Sequence, residues 1–312
     1  MSRDQRLNDN WALLYCQKIA KEKNTHVAVV FSLAPTFLDA SVRSYEFMIG
    51  GLKELERGLS HYRIPFYLKF GEPADTIPTF VNSQKASILV TDFDPLRLKQ
   101  QWKKEVIEKV ATPVVTVDAH NIVPCWLASS KQEFGAYTLR PKIRRQLPIF
   151  LTEFPMLQVQ EYSLPLVENR WDAINLHCTA NPPTLVWIKP GEKAARTALD
   201  FFLSQKLKGY AEKRNYPELG WLSNLSPFLH FGMLSAQRVA LEIQKSNEFS
   251  EDKAAFLEEL IVRRELADTF CYYNQNYDSF QGFPSWAQHT LNAHRRDERE
   301  YIYPLALLEK AK

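Results

Sequence analysis

The chain has 312 residues, of which 45% are hydrophobic and 24% charged, and its net charge at pH 7 is +3. These values exclude a small disulfide-stapled module, a disordered chain and a collagen-like repeat. No run of about 18 apolar residues occurs and the first residues lack a signal-peptide core, so we expect a cytoplasmic protein with no membrane partner.

The first part of the chain alternates strand-like and helix-like segments. Short apolar runs at residues 27–31, 64–68, 87–91 and 114–117 are typical of strands buried on both faces. Amphipathic stripes such as Leu52, Leu55 and Leu59 lie between them. The pattern predicts an α/β doubly wound domain with a parallel sheet over residues 1–154.

The start of this domain departs from the usual order of elements. The chain opens on a loop and a helix capped by Asp9 or Asn10, whereas a doubly wound domain normally opens on a strand. That first strand is central in such a sheet. We therefore expect an empty strand position beside residues 27–31, with exposed strand edges and low solubility as consequences.

The remainder of the chain contains a predicted linker and a helical part. Residues 155–190 contain prolines and no periodic pattern, which indicates an interdomain linker. Helices are predicted over residues 192–207, 235–245 and 253–273, so residues 191–312 form an all-α domain. No repeat period is visible, and a solenoid is therefore not expected.

Several common catalytic motifs are absent from the sequence. It contains neither the glycine-rich phosphate-binding motifs nor a nucleophile elbow, and its cysteines and histidines lack metal-ligand spacing. No metal site is predicted. His120, close to Asp118 after a predicted strand, is either a site residue or, the reading we favour, a loop histidine with a local partner.

Two polar clusters lie in the helical half. The first spans residues 222–226 and precedes a predicted helix start at Pro227, where amide groups can bind an anion or Ser226 can simply cap the helix. The second has i,i+4 pairs from Glu259 to Arg263 and from Arg264 to Asp268. Spacing alone favours an exposed, salt-bridged face, and the alternative is an inward-facing ligand site.

Read as strings, many segments resemble the class II cyclobutane pyrimidine dimer photolyases, within the photolyase and cryptochrome family. The resemblance covers nearly the whole chain and is weakest over residues 160–188. It rests on residues 1–6, 9–14, 89–93, 117–126 (Val-Asp-Ala-His-Asn-Ile-Val-Pro-Cys-Trp), 222–232, 258–268, 270–273, 283–287 and 291–294.

The resemblance implies an N-terminal α/β domain able to hold a deazaflavin-type antenna chromophore, a linker and a helical FAD-binding domain. It implies a monomeric flavoprotein of DNA repair that acts on DNA containing a cyclobutane pyrimidine dimer. Light-driven electron transfer from reduced FAD would split the dimer. Two alternatives are a non-catalytic remnant and a flavin-based light sensor without repair activity.

The resemblance also implies residue roles. Glu259 is the expected catalytic carboxyl group, which would bind the flipped dimer from an interior cavity, while Arg214 and Arg263 are expected lesion contacts. The expected flavin-binding residues are Tyr210, Leu222, Ser223, Asn224, Leu225 and Ser226.

Two departures from the family pattern accompany these roles. Family members have a strand before the Ser-Arg-Asp-Gln-Arg segment at residues 2–6, and they continue past residues 302–305 into helices that complete the flavin pocket. We therefore expect a chain truncated at both ends, with a partial FAD-binding domain that binds FAD weakly or not at all.

Overall fold

The structure is a computed structural model that describes residues 1–176, 178, 180, 182–183 and 185–298. The final part of the predicted helical domain, residues 299–312, lies outside the described residues. No helix in the described ranges is both long enough and apolar enough to cross a lipid bilayer.

The first half alternates helices and strands as predicted. Its elements are α1 (Trp11–Glu22), β1 (Val29–Leu33), α2 (Val42–His61), β2 (Phe66–Phe70), α3 (Pro73–Ser83), β3 (Leu89–Asp92), α4 (Arg97–Lys109), β4 (Val114–Val117), α5 (Cys125–Ala128) and α6 (Ala136–Phe150). Asn10 caps α1, because its side chain accepts the N–H groups of Ala12 and Leu13.

The first three strands begin two residues later than the apolar runs indicate. At β1 the cause is a side chain of the predicted linker. Gln160 accepts the Val27 N–H and donates to the Val27 carbonyl at 3.1 Å, so the backbone ladder begins only at Val29. An apolar pattern carries no information about such a competing polar partner.

The strands of the described ranges form two separate parallel pairs. β1 pairs with β2, with Val29 opposite Phe66, and β3 pairs with β4, with Leu89 opposite Val114. Within the described part of the chain no strand joins β1 to β3. The α/β class is confirmed, while the single sheet that we expected is split at the position predicted to be empty.

The second half is helical. Its elements are α7 (Glu192–Gln205), α8 (Tyr210–Lys213), α9 (Ser226–His230), α10 (Ala236–Lys245), α11 (Ser250–Leu257), a π-helical segment (Glu258–Arg263), α12 (Arg264–Tyr273) and α13 (Ser285–Arg295). Ser235 caps α10 as predicted, because it accepts the Arg238 N–H.

The predicted pair between Arg264 and Asp268 does not form. Asp268 is held instead by Arg3, through two bonds of 2.8 and 2.9 Å. Arg264 donates to the carbonyl oxygens of Leu260 and His120. Tertiary partners therefore override the i,i+4 spacing, which favours such a pair by only about 0.5 kcal/mol.

Among the residues that the structure describes, two hydrophobic cores hold the molecule together. One lies inside the α/β half, around Leu52, Leu59 and Ile64. The other is centred on helical residues such as Phe202 and also contains Val123, which follows β4. The loop after β4 is thus part of the second core and joins the two halves.

Candidate functional site

A cavity of about 770 Å³ opens where the carboxyl ends of β1 and β3 face the helical half. Open α/β sheets bind ligands at this edge, and pockets of this size suit a cofactor. Its walls combine aromatic side chains with a few polar groups. The residues used below are Gln5, Phe37, Asp94, Lys99, Trp102, His120, Ser226, Arg264 and Asp268.

Two buried polar atoms of the cavity wall have no hydrogen-bond partner within the described residues. They are Oε1 of Gln5, a residue only 5% exposed, and Nη1 of Arg264. Buried polar groups are normally paired, so each of these atoms needs an explanation. Both residues line the cavity, so its wall carries an amide and a guanidinium side chain.

Aromatic rings and one amine form another part of the wall. The Nζ of Lys99 lies 4.7 Å from the ring centre of Phe37 and 5.0 Å from that of Trp102, within cation–π range. Burial lowers the pKa of Lys99 and raises the pKa of the neighbouring Asp94. A planar, partly polar ligand suits such a wall.

His120 both lines the cavity and has a local partner. Its Nδ1 lies 3.3 Å from Oδ1 of Asp4, and burial lowers the pKa of His120 to about 4. The histidine is therefore neutral at pH 7. His120 thus has the local partner that we favoured, and its role as a site residue stays a prediction.

Buried carboxyl groups of two kinds lie beside the cavity. Burial raises the pKa of Asp118 to about 6 and that of Glu265 to about 8. Asp268 differs, because burial raises its pKa but the Arg3 guanidinium outweighs that effect, and its pKa is lowered to about 2. At pH 7 the buried set thus contains a protonated Glu265 and an ionised Asp268.

A second cluster contains the residues predicted to contact the lesion. Arg214 donates to Glu259 Oε1 at 2.9 Å, and Arg263 lies 3.3 Å from the same oxygen. The guanidinium of Arg214 also lies 5.8 Å from the Tyr210 ring centre. The structure therefore brings together four residues that span positions 210 to 263 of the sequence.

Glu259 is not enclosed in an interior cavity, contrary to our expectation. Its side chain is 39% exposed and lies at the surface between the two arginines. The π-helical segment widens the helix at this point, and such segments often occur at functional sites. The guanidinium groups of Arg214 and Arg263 neutralise the Glu259 carboxylate, so ion pairs and not burial hold this side chain in place.

The predicted flavin-binding residues do not share one surface. Tyr210 packs its ring edge-on against Phe202 and Phe256 in the core, and Leu225 is also buried. Ser226 lines the cavity, whereas Leu222 is 51% exposed.

The loop before α9 has its own local geometry. Asn224 has the left-handed backbone φ of 56°, and the Ser223 hydroxyl accepts the Leu225 N–H at 3.4 Å. Ser226 is the first helical residue and makes no capping bond. The alternative that Ser226 caps its helix is therefore wrong.

Sequence reasoning assigned no site role to three cavity residues, Gln5, Lys99 and Trp102. Gln5 lies in a segment that carries the family resemblance, and Trp102 occupies an ordinary apolar position of an amphipathic helix. One available signal was positional, because residues that follow the carboxyl ends of parallel strands line the ligand crevice of open α/β sheets.

Comparison with known proteins decides the family. A family profile described as DNA photolyase matches residues 1–159, about half of the chain. This chain belongs to the DNA photolyase family. The class II resemblance found in the sequence fits this membership, and the match covers the whole α/β half.

Two relatives in the family align with almost the entire chain. A deoxyribodipyrimidine photo-lyase of Potorous tridactylus is 44% identical over 100% of this chain and 60% of its own length. One of Arabidopsis thaliana is 45% identical over 99% of this chain and 66% of its own length. This chain therefore spans less than two thirds of the length of these relatives.

A solved structure supports the architecture. The cryptochrome of Synechocystis sp. PCC6803 superposes with a TM-score of 0.69 over 88% of this chain and 60% of that one, at 18% identity. At this identity the likeness concerns the fold alone. It confirms the photolyase and cryptochrome architecture of an α/β domain followed by a helical domain.

Replacement of Glu265 by glutamine tests whether its buried carboxyl group is protonated in the folded state. Because its pKa rises from 4.5 to about 8 on folding, the folded state retains a proton that the unfolded state releases. Stability should therefore decline as the pH rises through this window. We expect Glu265→Gln, which stays neutral, to flatten the decline in Tm between pH 5 and pH 8.5.

The matched control is Glu108→Gln, at an exposed position of α4. This variant should keep the pH dependence of the parent protein. Identical Tm profiles for parent and Glu265→Gln would contradict a protonated Glu265 in the folded state.

Proposed function

We propose that this protein is a light-driven DNA repair photolyase that acts on cyclobutane pyrimidine dimers. The observation that carries the proposal is the cluster of Tyr210, Arg214, Glu259 and Arg263, assembled from separate segments within a photolyase-family fold. When bound, reduced FAD would supply the electron that splits the dimer. The residues of this chain would bind and orient the damaged DNA.

The cluster suits a flipped pyrimidine dimer in DNA. A carboxylate fixed between two guanidinium groups keeps its remaining lone pairs for N–H donors of a pyrimidine edge. Arginines beside it can bind the flanking phosphates in bidentate fashion. Arg214 and Arg263 thus orient Glu259 and neutralise the DNA backbone, and Glu259 is the proposed catalytic residue.

The chain also offers groups that fit part of a flavin dinucleotide. The Ser223 hydroxyl and the Asn224 amide lie in the partly exposed loop before α9, and the Ser226 hydroxyl lies at the first residue of α9, which lines the cavity. Such groups suit a diphosphate. Tyr210 and Leu225 shape this region from the core side, and Leu222 remains available for contact with the cofactor.

An antenna chromophore is the proposed occupant of the 770 Å³ cavity. The Gln5 amide and the Arg264 guanidinium line the cavity and suit a ring system that carries an N–H and a carbonyl group, as deazaflavins do. Phe37 and Trp102 would stack against the ring. Light energy absorbed by this chromophore would be transferred to the flavin.

Replacement of Gln5 tests the chromophore site. We expect 5-deazariboflavin to quench tryptophan fluorescence in a saturable way, because Trp102 lines the cavity. Gln5→Leu should weaken binding by about tenfold, since one buried hydrogen bond is lost. The control Gln101→Leu, at an exposed position of α4, should not. Equal affinity of both variants would contradict the site.

Replacement of Arg214 tests lesion recognition. In the dark, the protein should prefer a duplex with one thymine dimer over the undamaged duplex by at least about tenfold. Arg214→Met should remove most of this preference. It should also reduce the slope of the logarithm of the binding constant against the logarithm of the salt concentration by about one, since one phosphate contact is lost. Electrophoretic or anisotropy titrations at two salt concentrations measure both quantities.

The control is Arg57→Met, an exposed arginine of α2 far from the cluster in sequence. It should retain the preference for damaged DNA. Equal binding of damaged and undamaged duplexes by the parent protein would contradict the proposed function.

A further inference from the structure

Residues 131–145, most of which form α6, concentrate positive charge. They include five basic residues and one acidic residue, a net charge of +4, whereas the whole chain of 312 residues carries only +3. The acidic residue, Glu133, is buried and paired with Lys142. The rest of the sequence is therefore slightly acidic, and this segment accounts for the net positive charge.

Packing fixes the rotation of α6 about its own axis. Leu139 and Ile143 are fully buried in the core of the helical half. Arg144 and Arg145 lie at exposed positions of the same helix. Residues four positions apart share one side of a helix, so Arg140 and Arg144 lie on the same side. The buried residues thus keep these arginines at the surface.

Arg140 joins this side of α6 to the second cluster. Its guanidinium donates two hydrogen bonds to the Glu258 carboxylate, at 2.9 and 2.7 Å, and Glu258 directly precedes Glu259. The hydrogen bond from Arg140 lowers the pKa of Glu258, and the charges of Arg263 and Arg144 also lower it. The basic side of α6 and the second cluster therefore form one continuous surface.

This surface carries more cations than anions. The carboxylates of Glu258 and Glu259 lie among four guanidinium groups, which belong to Arg140, Arg144, Arg214 and Arg263. Neither Arg144 nor the neighbouring Arg145 forms a salt bridge with a residue that the structure describes. The excess positive charge attracts an anionic ligand to this side of the molecule.

The spacing of the arginines suits a phosphate backbone. From Arg140 to Arg145 the helix rises about 7 Å, which is about the axial rise of two nucleotide steps in B-DNA. Guanidinium groups bind phosphate oxygens in bidentate fashion. Contacts of this kind position a protein on DNA and carry no sequence information.

We propose that Arg144 and Arg145 bind the phosphate backbone of the DNA duplex beside the pyrimidine dimer, so that α6 extends the second cluster into a longer DNA-binding surface. The proposal rests on the proposed function, because that function places the dimer at Glu259. These two arginines increase the affinity for damaged and undamaged DNA by the same factor. Recognition of the dimer itself stays with the second cluster.

The variant Arg144→Gln/Arg145→Gln tests the proposal by anisotropy titration with a dimer-containing duplex and its undamaged counterpart. We expect at least about tenfold weaker binding to both duplexes at about 0.1 M salt, because two phosphate contacts are lost. The slope of the logarithm of the binding constant against the logarithm of the salt concentration should fall by about two. The preference for the dimer should change less than about twofold, since backbone contacts are the same on both duplexes.

Two control variants separate a local contact from an effect of net charge. Lys21→Gln/Lys23→Gln removes two charges at the exposed end of α1 and should change the affinity less than about twofold. Arg144→Lys/Arg145→Lys keeps both charges and should retain the salt slope of the parent protein. Unchanged affinity of Arg144→Gln/Arg145→Gln, or an equal loss in the α1 variant, would overturn the proposal.

Neutral phosphates locate the contact on the DNA. A methylphosphonate replaces one phosphate at a time along the duplex that contains the dimer. The parent protein should lose affinity at one or more positions beside the dimer where Arg144→Gln/Arg145→Gln does not, because the variant already lacks the contact. The proposal is wrong if no position distinguishes the two proteins.

Failure of the proposed function would look different. It would appear as equal binding of damaged and undamaged duplexes by the parent protein. The affinities of the parent and of Arg144→Gln/Arg145→Gln for the undamaged duplex would still decide whether α6 binds the DNA backbone.

Discussion

The architecture depends on a buried ionic joint formed by residues 3–6. Arg6 is 1% exposed, and its guanidinium donates to Asp4 at 2.6 Å and to the Ala119 and Gly232 carbonyls at 2.6 and 3.1 Å. Burial of charges this deep is tolerable only when each finds partners. These partners come from the N-terminal segment, the loop after β4 and the helical half.

Arg3 extends the joint to α12. It binds Asp268 with both terminal nitrogens, and Asp268 in turn accepts the side-chain N–H of Asn121 at 2.9 Å. Gly232 allows the close approach, because its φ is +63° and a Cβ there would lie 2.4 Å from the Arg3 carbonyl. The joint thereby fixes two walls of the cavity relative to each other.

Because the joint holds the two halves in a fixed relative position, a cavity with defined walls can form between them. Gln5 lies within the joint segment, and Arg264 lies one helical turn before Asp268. Glu259 and Arg263 of the second cluster lie in the π-helical segment that directly precedes Arg264, so this cluster and the cavity wall share one helical run.

Sequence patterns predicted the helices and strands better than they predicted the tertiary contacts between them. Apolar runs identified all four strands, and the cap signals of Asn10 and Ser235 were confirmed, because these depend on local chemistry. The bond from Arg3 to Asp268 spans 265 positions and has no local signal. The half-exposed placement of Glu259 likewise followed from tertiary packing, and the roles of Glu259 and of the flavin-binding residues remain predictions.

A double-mutant cycle on Arg3 and Asp268 tests the central claim most directly. Arg3→Met and Asp268→Leu should each destabilise the protein by about 3 kcal/mol, because each leaves a buried charge without its partner. The double variant should be less destabilised than the sum of the two by at least about 2 kcal/mol, measured by urea unfolding. Additivity within about 0.5 kcal/mol would contradict an ionic joint between the halves.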